Sequence, residues 1–266
     1  MIWEANAELL LHQIQIVDVA GSPMEVFVFE PPADAPVASR TPVGTPTSAR
    51  PGLILLQHLP VGHTGLENDE FTLQTAARFA QHGYVVAAPF LFHWWPKSAD
   101  MQLKREQSRD ERTKLDINAA FDLLEQRPDV NPRAIGAVGH CWGGRVAWLA
   151  ACHLPRLAAA AIFYGGRVKV PLGAGNPPPI ELASQIRCPI IGFFGDEDQN
   201  PPPSDVDEYS AALRAAGVPH TFHRYAGTGH AFQNFPTPER YRPEASEDAW
   251  GKVLEFFARE LGGARS

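Results

Sequence analysis

The stretch Ala134–Ala151 constrains this chain more than any other. An apolar run, Ala134-Ile135-Gly136-Ala137-Val138, leads into Gly139-His140-Cys141-Trp142-Gly143-Gly144 and then into Arg145–Ala151, which reads as a helix. A strand that turns into a helix through Gly-x-Cys-x-Gly is the setting of a nucleophile elbow, here with cysteine at the apex. The turn is tight and strained, so the residues flanking the apex must be small, and Gly139 and Gly143 meet that need. The apex also lies at a helix N-terminus, where free N–H groups and the positive dipole end favour a thiolate and a developing oxyanion. Taken alone, the pentapeptide fits a buried, inert cysteine in a β–α turn equally well.

The elements around it set the fold class. Leu53–Leu56, Tyr84–Ala88, Ala158–Tyr164 and Pro189–Phe194 are continuous apolar runs, the pattern of central strands covered on both faces. His220–Tyr225 reads as a further strand. Between them, Leu73, Ala76, Ala77 and Ala80 recur at helical spacing up to a stop at His82-Gly83. Gln102–Gln126 reads as one charged helix whose charges face solvent, Ser204–Ala216 as a helix capped by Ser204, and the last helix carries Trp250, Val253, Leu254, Phe257 and Leu261 on one face. Gln13–Val19 and Met24–Glu30, joined by Ala20-Gly21-Ser22-Pro23, predict an N-terminal antiparallel hairpin. Residues 31–51, rich in Pro, Ser and Thr without periodicity, predict a surface connection. Strands alternating with helices predict an α/β fold: one domain over residues 1–266, with a mostly parallel sheet and helices on both faces. Reactive groups in such sheets gather beyond the carboxyl ends of the strands.

Composition removes several function classes. A net charge of −7 argues against a nucleic-acid partner and does not favour an anionic membrane surface. Three cysteines without paired spacing imply a reducing compartment and no disulfide framework. Met1–Asn6 has neither a basic stretch nor a long apolar one, and no apolar run reaches transmembrane length, so a cytoplasmic location is expected. The expected partner is a small-molecule substrate.

Cys141, Asp198 and His230 each follow a predicted strand, in the order nucleophile, acid, histidine. A neutral imidazole at position 230 would take the thiol proton, and a carboxylate would orient the ring. Asp196 and Asp198 compete for that last role, and either of them, like Glu197, also reads as a solvated turn residue. Cys152 and Cys188 read as core, and His220 and His223 fall on opposite strand faces, a poor metal pair. His58 and His63 share a loop without further ligands.

At these residues the sequence resembles the dienelactone hydrolase (carboxymethylenebutenolidase) family. The resemblance rests on the Gly139–Gly144 elbow, Gly195-x-x-Asp198, Gly229-His230-Ala231-Phe232 after Tyr225, Ala249-Trp250, and Gly83–Pro89 as the second core strand. It covers roughly Met24 to the end. It implies a single α/β-hydrolase domain with Cys141 as nucleophile, His230 as base and Asp198 as its carboxylate partner, preferred over Asp196. No metal or organic cofactor is implied. The backbone N–H groups of Leu59 and Trp142 would form the oxyanion hole.

The sequence also departs from the family pattern. Gln57-His58 stands where the family carries His-Glu, whose carboxylate pairs with the resting thiol. The arginines that hold a dienelactone carboxylate are missing: none occurs from Phe90 to Lys104, and Asn234 falls where one is expected. Arg240 and Arg242 are the nearest replacements. Candidate pocket residues are His58, Phe90, Trp94, Trp95, His140 and Asn234. The reading is a cysteine-dependent hydrolase of a lactone or carboxylic ester, with a thioesterase or general esterase, or a ligand-binding relative without turnover, as alternatives. The aromatic run Phe90–Trp95 reads equally well as the wall of an apolar pocket or as the packing of a long loop onto the core; as a wall, and with the arginines missing, it predicts a preference for neutral or aromatic esters.

Overall fold

The structure, a computed structural model, describes residues 12–36, 49–59 and 65–262. His63 and most of the predicted surface connection lie outside the described residues. The apolar runs become one eight-stranded sheet in the order β1-β2-β4-β3-β5-β6-β7-β8. The hairpin is β1 (Gln13–Val19) and β2 (Ser22–Phe29), and β2 runs antiparallel to β4 (Val85–Pro89). All later pairings are parallel: β3 (Arg50–Leu56) with β4 and with β5 (Val130–His140), then β6 (Ala159–Phe163), β7 (Ile190–Gly195) and β8 (His220–Tyr225). The central strands are buried along their apolar runs, as their unbroken hydrophobicity requires.

Helices cover both faces. On one, α1 (Glu70–Gln81) meets α6 (Pro243–Leu261) through Phe79 and Trp250, with ring centroids 4.6 Å apart. On the other, α4 (Trp142–His153) packs on α5 (Pro203–Ala215) through Trp148 and Tyr209, whose centroids are 5.6 Å apart. No helix among the described residues is long and apolar enough to cross a membrane.

Three local readings change. The single helix expected over Gln102–Gln126 is two, α2 (Met101–Gln107) and α3 (Asp110–Glu125), with Ser108 and Arg109 extended between them. The break carries no Pro or Gly. It arises because Asp110 is drawn into a buried ion pair with Arg145 of α4, Nη1 to Oδ1 2.6 Å, with side chains only 1% and 2% exposed. The same helix buries Asp116 under His93 and Trp94, so its charges do not all face solvent. Ser204 is not a cap: Pro203 opens α5, since a proline has no N–H to leave unsatisfied in the first turn.

Candidate active site

Cys141 stands between β5 and α4 with φ 55° and ψ −114°. A side chain held in that region is strained, and such strain collects where a reactive group must project. Its backbone N–H donates to the Phe163 carbonyl at 3.0 Å, tying the apex to β6. The flanking glycines are needed for close approach: a Cβ on Gly139 would collide with the Gly143 carbonyl, and one on Gly143 with the Leu56 carbonyl. The start of α4 is thereby pressed onto the end of β3, which carries Leu59 three residues further on.

His230 lies in the loop after β8, and its Nδ1 meets Asp198 Oδ2 at 2.8 Å. Asp198 is 1% exposed, and its other oxygen accepts the Asn200 N–H at 2.7 Å. Asp196 and Glu197 are exposed, and the carboxylate that meets the His230 ring is that of Asp198. With Nδ1 on the carboxylate, Nε2 is left for the sulfur. Burial lowers the His230 pKa, but hydrogen bonds to Asp198 and Cys141, together with their charges, outweigh it and raise the value to about 10. A histidine raised in this way stabilises the fold fully below its unfolded value near 6.5 and loses that contribution as pH climbs through the folded value. Unfolding free energy measured from pH 6 to 10 should therefore fall with pH, and His230→Gln should flatten that slope; equal slopes in both proteins would refute the coupling.

Asp198→Asn should lower kcat by about 10²- to 10⁴-fold, because an amide stabilises neither the imidazolium nor its tautomer. Asp196→Asn should leave kcat within about twofold, as expected of an exposed turn residue. Steady-state kinetics on the two variants checks this, and a reversed ranking would move the acid to Asp196.

The remaining expected residues fall into different surroundings. Trp142 is buried, its ring 6.4 Å from Phe92, and Leu59 is partly buried against the core three residues past the end of β3. His58 Nε2 meets Asp69 Oδ1 at 2.9 Å, and Asp69 also caps α1 by accepting the Thr72 N–H at 3.0 Å. His140 is buried beneath the elbow, stacked on Phe163 and bonded through Nε2 to Gln233 Oε1 at 2.9 Å. Burial pushes its pKa down to about 3, so the ring is neutral. Phe90 is core and packs against Phe92. The Trp94 indole N–H is held by Asp116 and that of Trp95 by Gln107 at 2.8 Å, leaving both rings half-buried. Asn234 is buried in the loop after His230, while Arg240 and Arg242 are exposed, and Arg242 donates to the carbonyls of Glu239 and Tyr241. Burial raises the Cys152 thiol to about 12, which fits an inert core residue.

The sequence reading missed Tyr164. Its ring edge lies against His230, centroids 5.2 Å apart, at a φ of 38°. It also missed Asp69, Phe71 and Gln233, which hold His58 and His140 in place. Only the position of Tyr164, directly after a core strand that neighbours the elbow strand, was a usable signal.

Comparison with known proteins decides the family. The model of the dienelactone hydrolase family matches residues 40–261. The chain belongs to the dienelactone hydrolase family. A relative from Synechocystis sp., which carries a provisional carboxymethylenebutenolidase name, is 31% identical over 194 residues, 69% of this chain and 78% of that protein. One from Methylorubrum extorquens, with the same provisional name, is 30% identical over 197 residues, 70% of this chain and 66% of that protein, just under two thirds of its length. The crystal structure of a Klebsiella pneumoniae protein provisionally called a dienelactone hydrolase superposes with a TM-score of 0.77 at 25% identity, covering 94% of this chain and 98% of that one. The fold is that of the α/β-hydrolases. Within this dienelactone hydrolase framework, the position expected to hold a thiol-pairing glutamate is His58, and the nearest buried carboxylate, Asp69, reaches that histidine.

Proposed function

We propose that the chain is one hydrolase domain that cleaves a lactone or carboxylic ester through an acyl-enzyme on Cys141. The observation that carries this reading is the His230 ring after β8, whose Nδ1 meets buried Asp198 after β7 at 2.8 Å and whose pKa is raised by Asp198 and by Cys141 after β5. His230 Nε2 takes the thiol proton as the sulfur attacks the carbonyl carbon. The Leu59 and Trp142 N–H groups stabilise the tetrahedral oxyanion as it develops. Its collapse expels the alkoxide, which takes the proton from the imidazolium. His230 then takes a proton from water as the hydroxide attacks the thioester carbonyl; the second tetrahedral intermediate expels the Cys141 sulfur, which takes that proton back, and the carboxylic acid leaves. Asp198 keeps the ring in the required tautomer throughout, and no metal or organic cofactor enters the scheme.

The test is a hydrolysis screen of the whole protein over lactones, aryl esters and thioesters, followed by intact-mass analysis during turnover. Hydrolysis of an oxygen ester or lactone with an acyl adduct on Cys141 is the expected result. Thioester cleavage alone would reassign the substrate class, and saturable binding without any adduct would leave a non-catalytic relative.

A further inference from the structure

A cavity of about 260 Å³ lies between α1, α6 and the loop that follows His230. Cys141, Asp198 and His230 are not among the residues that line it. Aromatic rings form much of its wall: Phe71 of α1, Phe235 and Tyr241 of the loop, and Trp250 of α6. Phe71 and Trp250 are buried, and the rings of Phe71 and Phe235 meet with centroids 5.8 Å apart. An apolar cavity of about 150 Å³ accommodates one benzene ring. This one therefore has room for a fused two-ring molecule.

One polar side chain in that wall is unmatched. Gln74 is 7% exposed, and its Nε2 donates to Glu70 Oε1 at 3.0 Å. A carboxylate only accepts, so this bond fixes which way the amide faces. Gln74 Oε1 is left buried with no donor among the described residues. Such an acceptor is costly until a donor reaches it. The charges nearby exclude an ionic ligand. Arg78 is committed to both oxygens of Glu247, at 3.0 and 2.7 Å, and its guanidinium covers the Trp250 ring, 4.2 Å from the centroid. It thereby occupies the face that would otherwise attract a cation. An anion would meet an acceptor held beside the Glu70 carboxylate. The wall is also held in place from behind. Gln233 is fixed between His140, at 2.9 Å, and the Ser246 carbonyl, at 3.3 Å, and Phe71 sets its edge against His140 and His58. Little ordering remains for a ligand to impose.

We propose that this cavity between α1 and α6 is a second ligand site, separate from the candidate active site, for a neutral planar one- or two-ring molecule carrying an N–H or O–H donor, as indole and the phenols do. The aromatic wall supplies face and edge contacts for the rings, and the donor meets Gln74 Oε1. No residue of the proposed hydrolytic scheme takes part, so binding there is independent of turnover.

Two probes of one shape test it on the whole protein: indole, and indene, which lacks the N–H. Calorimetry should detect both, and the ratio of indole to indene affinity should fall about 5- to 20-fold in Gln74→Leu. Thr75→Phe, which fills the cavity from α1, should remove binding of both. In crystals soaked with 5-bromoindole, the anomalous signal of the bromine should lie between α1 and α6. Absence of indole binding to the unmodified protein, an unchanged ratio in folded Gln74→Leu protein, or bromine found only elsewhere would overturn the site. Should Gln74→Leu fail to fold, the bromine position and the Thr75→Phe titration decide it.

Discussion

Cys141→Ala should lower kcat/KM for the best ester by roughly 10⁴-fold or more, with the melting temperature nearly unchanged. The expectation follows from the elbow. The apex side chain is half-buried and projects from a backbone held by the Phe163 carbonyl and by packing of Gly139 against Gly143, so removing the sulfur leaves that backbone intact. His230→Ala should cost a similar factor, because in the proposed scheme the ring takes the thiol proton and later activates water. Nucleophile and base act as one unit, so the double variant should be no worse than the slower single one. Kinetics on the three variants, with circular dichroism as a check on folding, reads this directly. Multiplying effects in the double variant would show that the two act independently, and substantial turnover in pure Cys141→Ala protein would remove Cys141 from the mechanism.

Gly143→Ala should damage both activity and stability, through backbone rather than chemistry. The added methyl group would fall on the Leu56 carbonyl, with the Gln57 carbonyl also in the way, and neither strand atom can move without breaking the β3–β5 ladder. Overpacking of this kind costs about 3 kcal/mol at its upper range, which for a chain of this size is a drop of roughly 6–12 °C in melting temperature. Activity should fall further than stability alone explains, because relief of the clash pushes the end of β3 away from the elbow and separates the Leu59 and Trp142 N–H groups. Gly251→Ala, in α6 with open space around the added carbon, is the matching control and should be neutral or slightly stabilising. Calorimetry and kcat on both variants test the contrast. A Gly143→Ala protein as stable and active as its parent would show that the close approach of α4 to β3 is not required.

The sequence by itself determined the sheet, the elbow and the order of the three reactive residues. Each of these is local: an unbroken apolar run makes a covered strand, and glycines on either side of one cysteine permit one kind of turn. The hairpin β1–β2 and the helix stop at Gly83 were legible for the same reason, since turn chemistry is written in adjacent residues. What the tertiary structure alone decided concerns charged and polar side chains whose partners lie far along the chain. Asp110 finds Arg145 35 residues later, and that pairing breaks a helix whose own sequence contains no breaker. His58 turns to Asp69, and His140 is neutralised by burial beside Gln233. The physical reason is that hydrophobic periodicity is a property of a segment, whereas the free energy of a charge depends on what the folded chain brings to within a few ångströms of it.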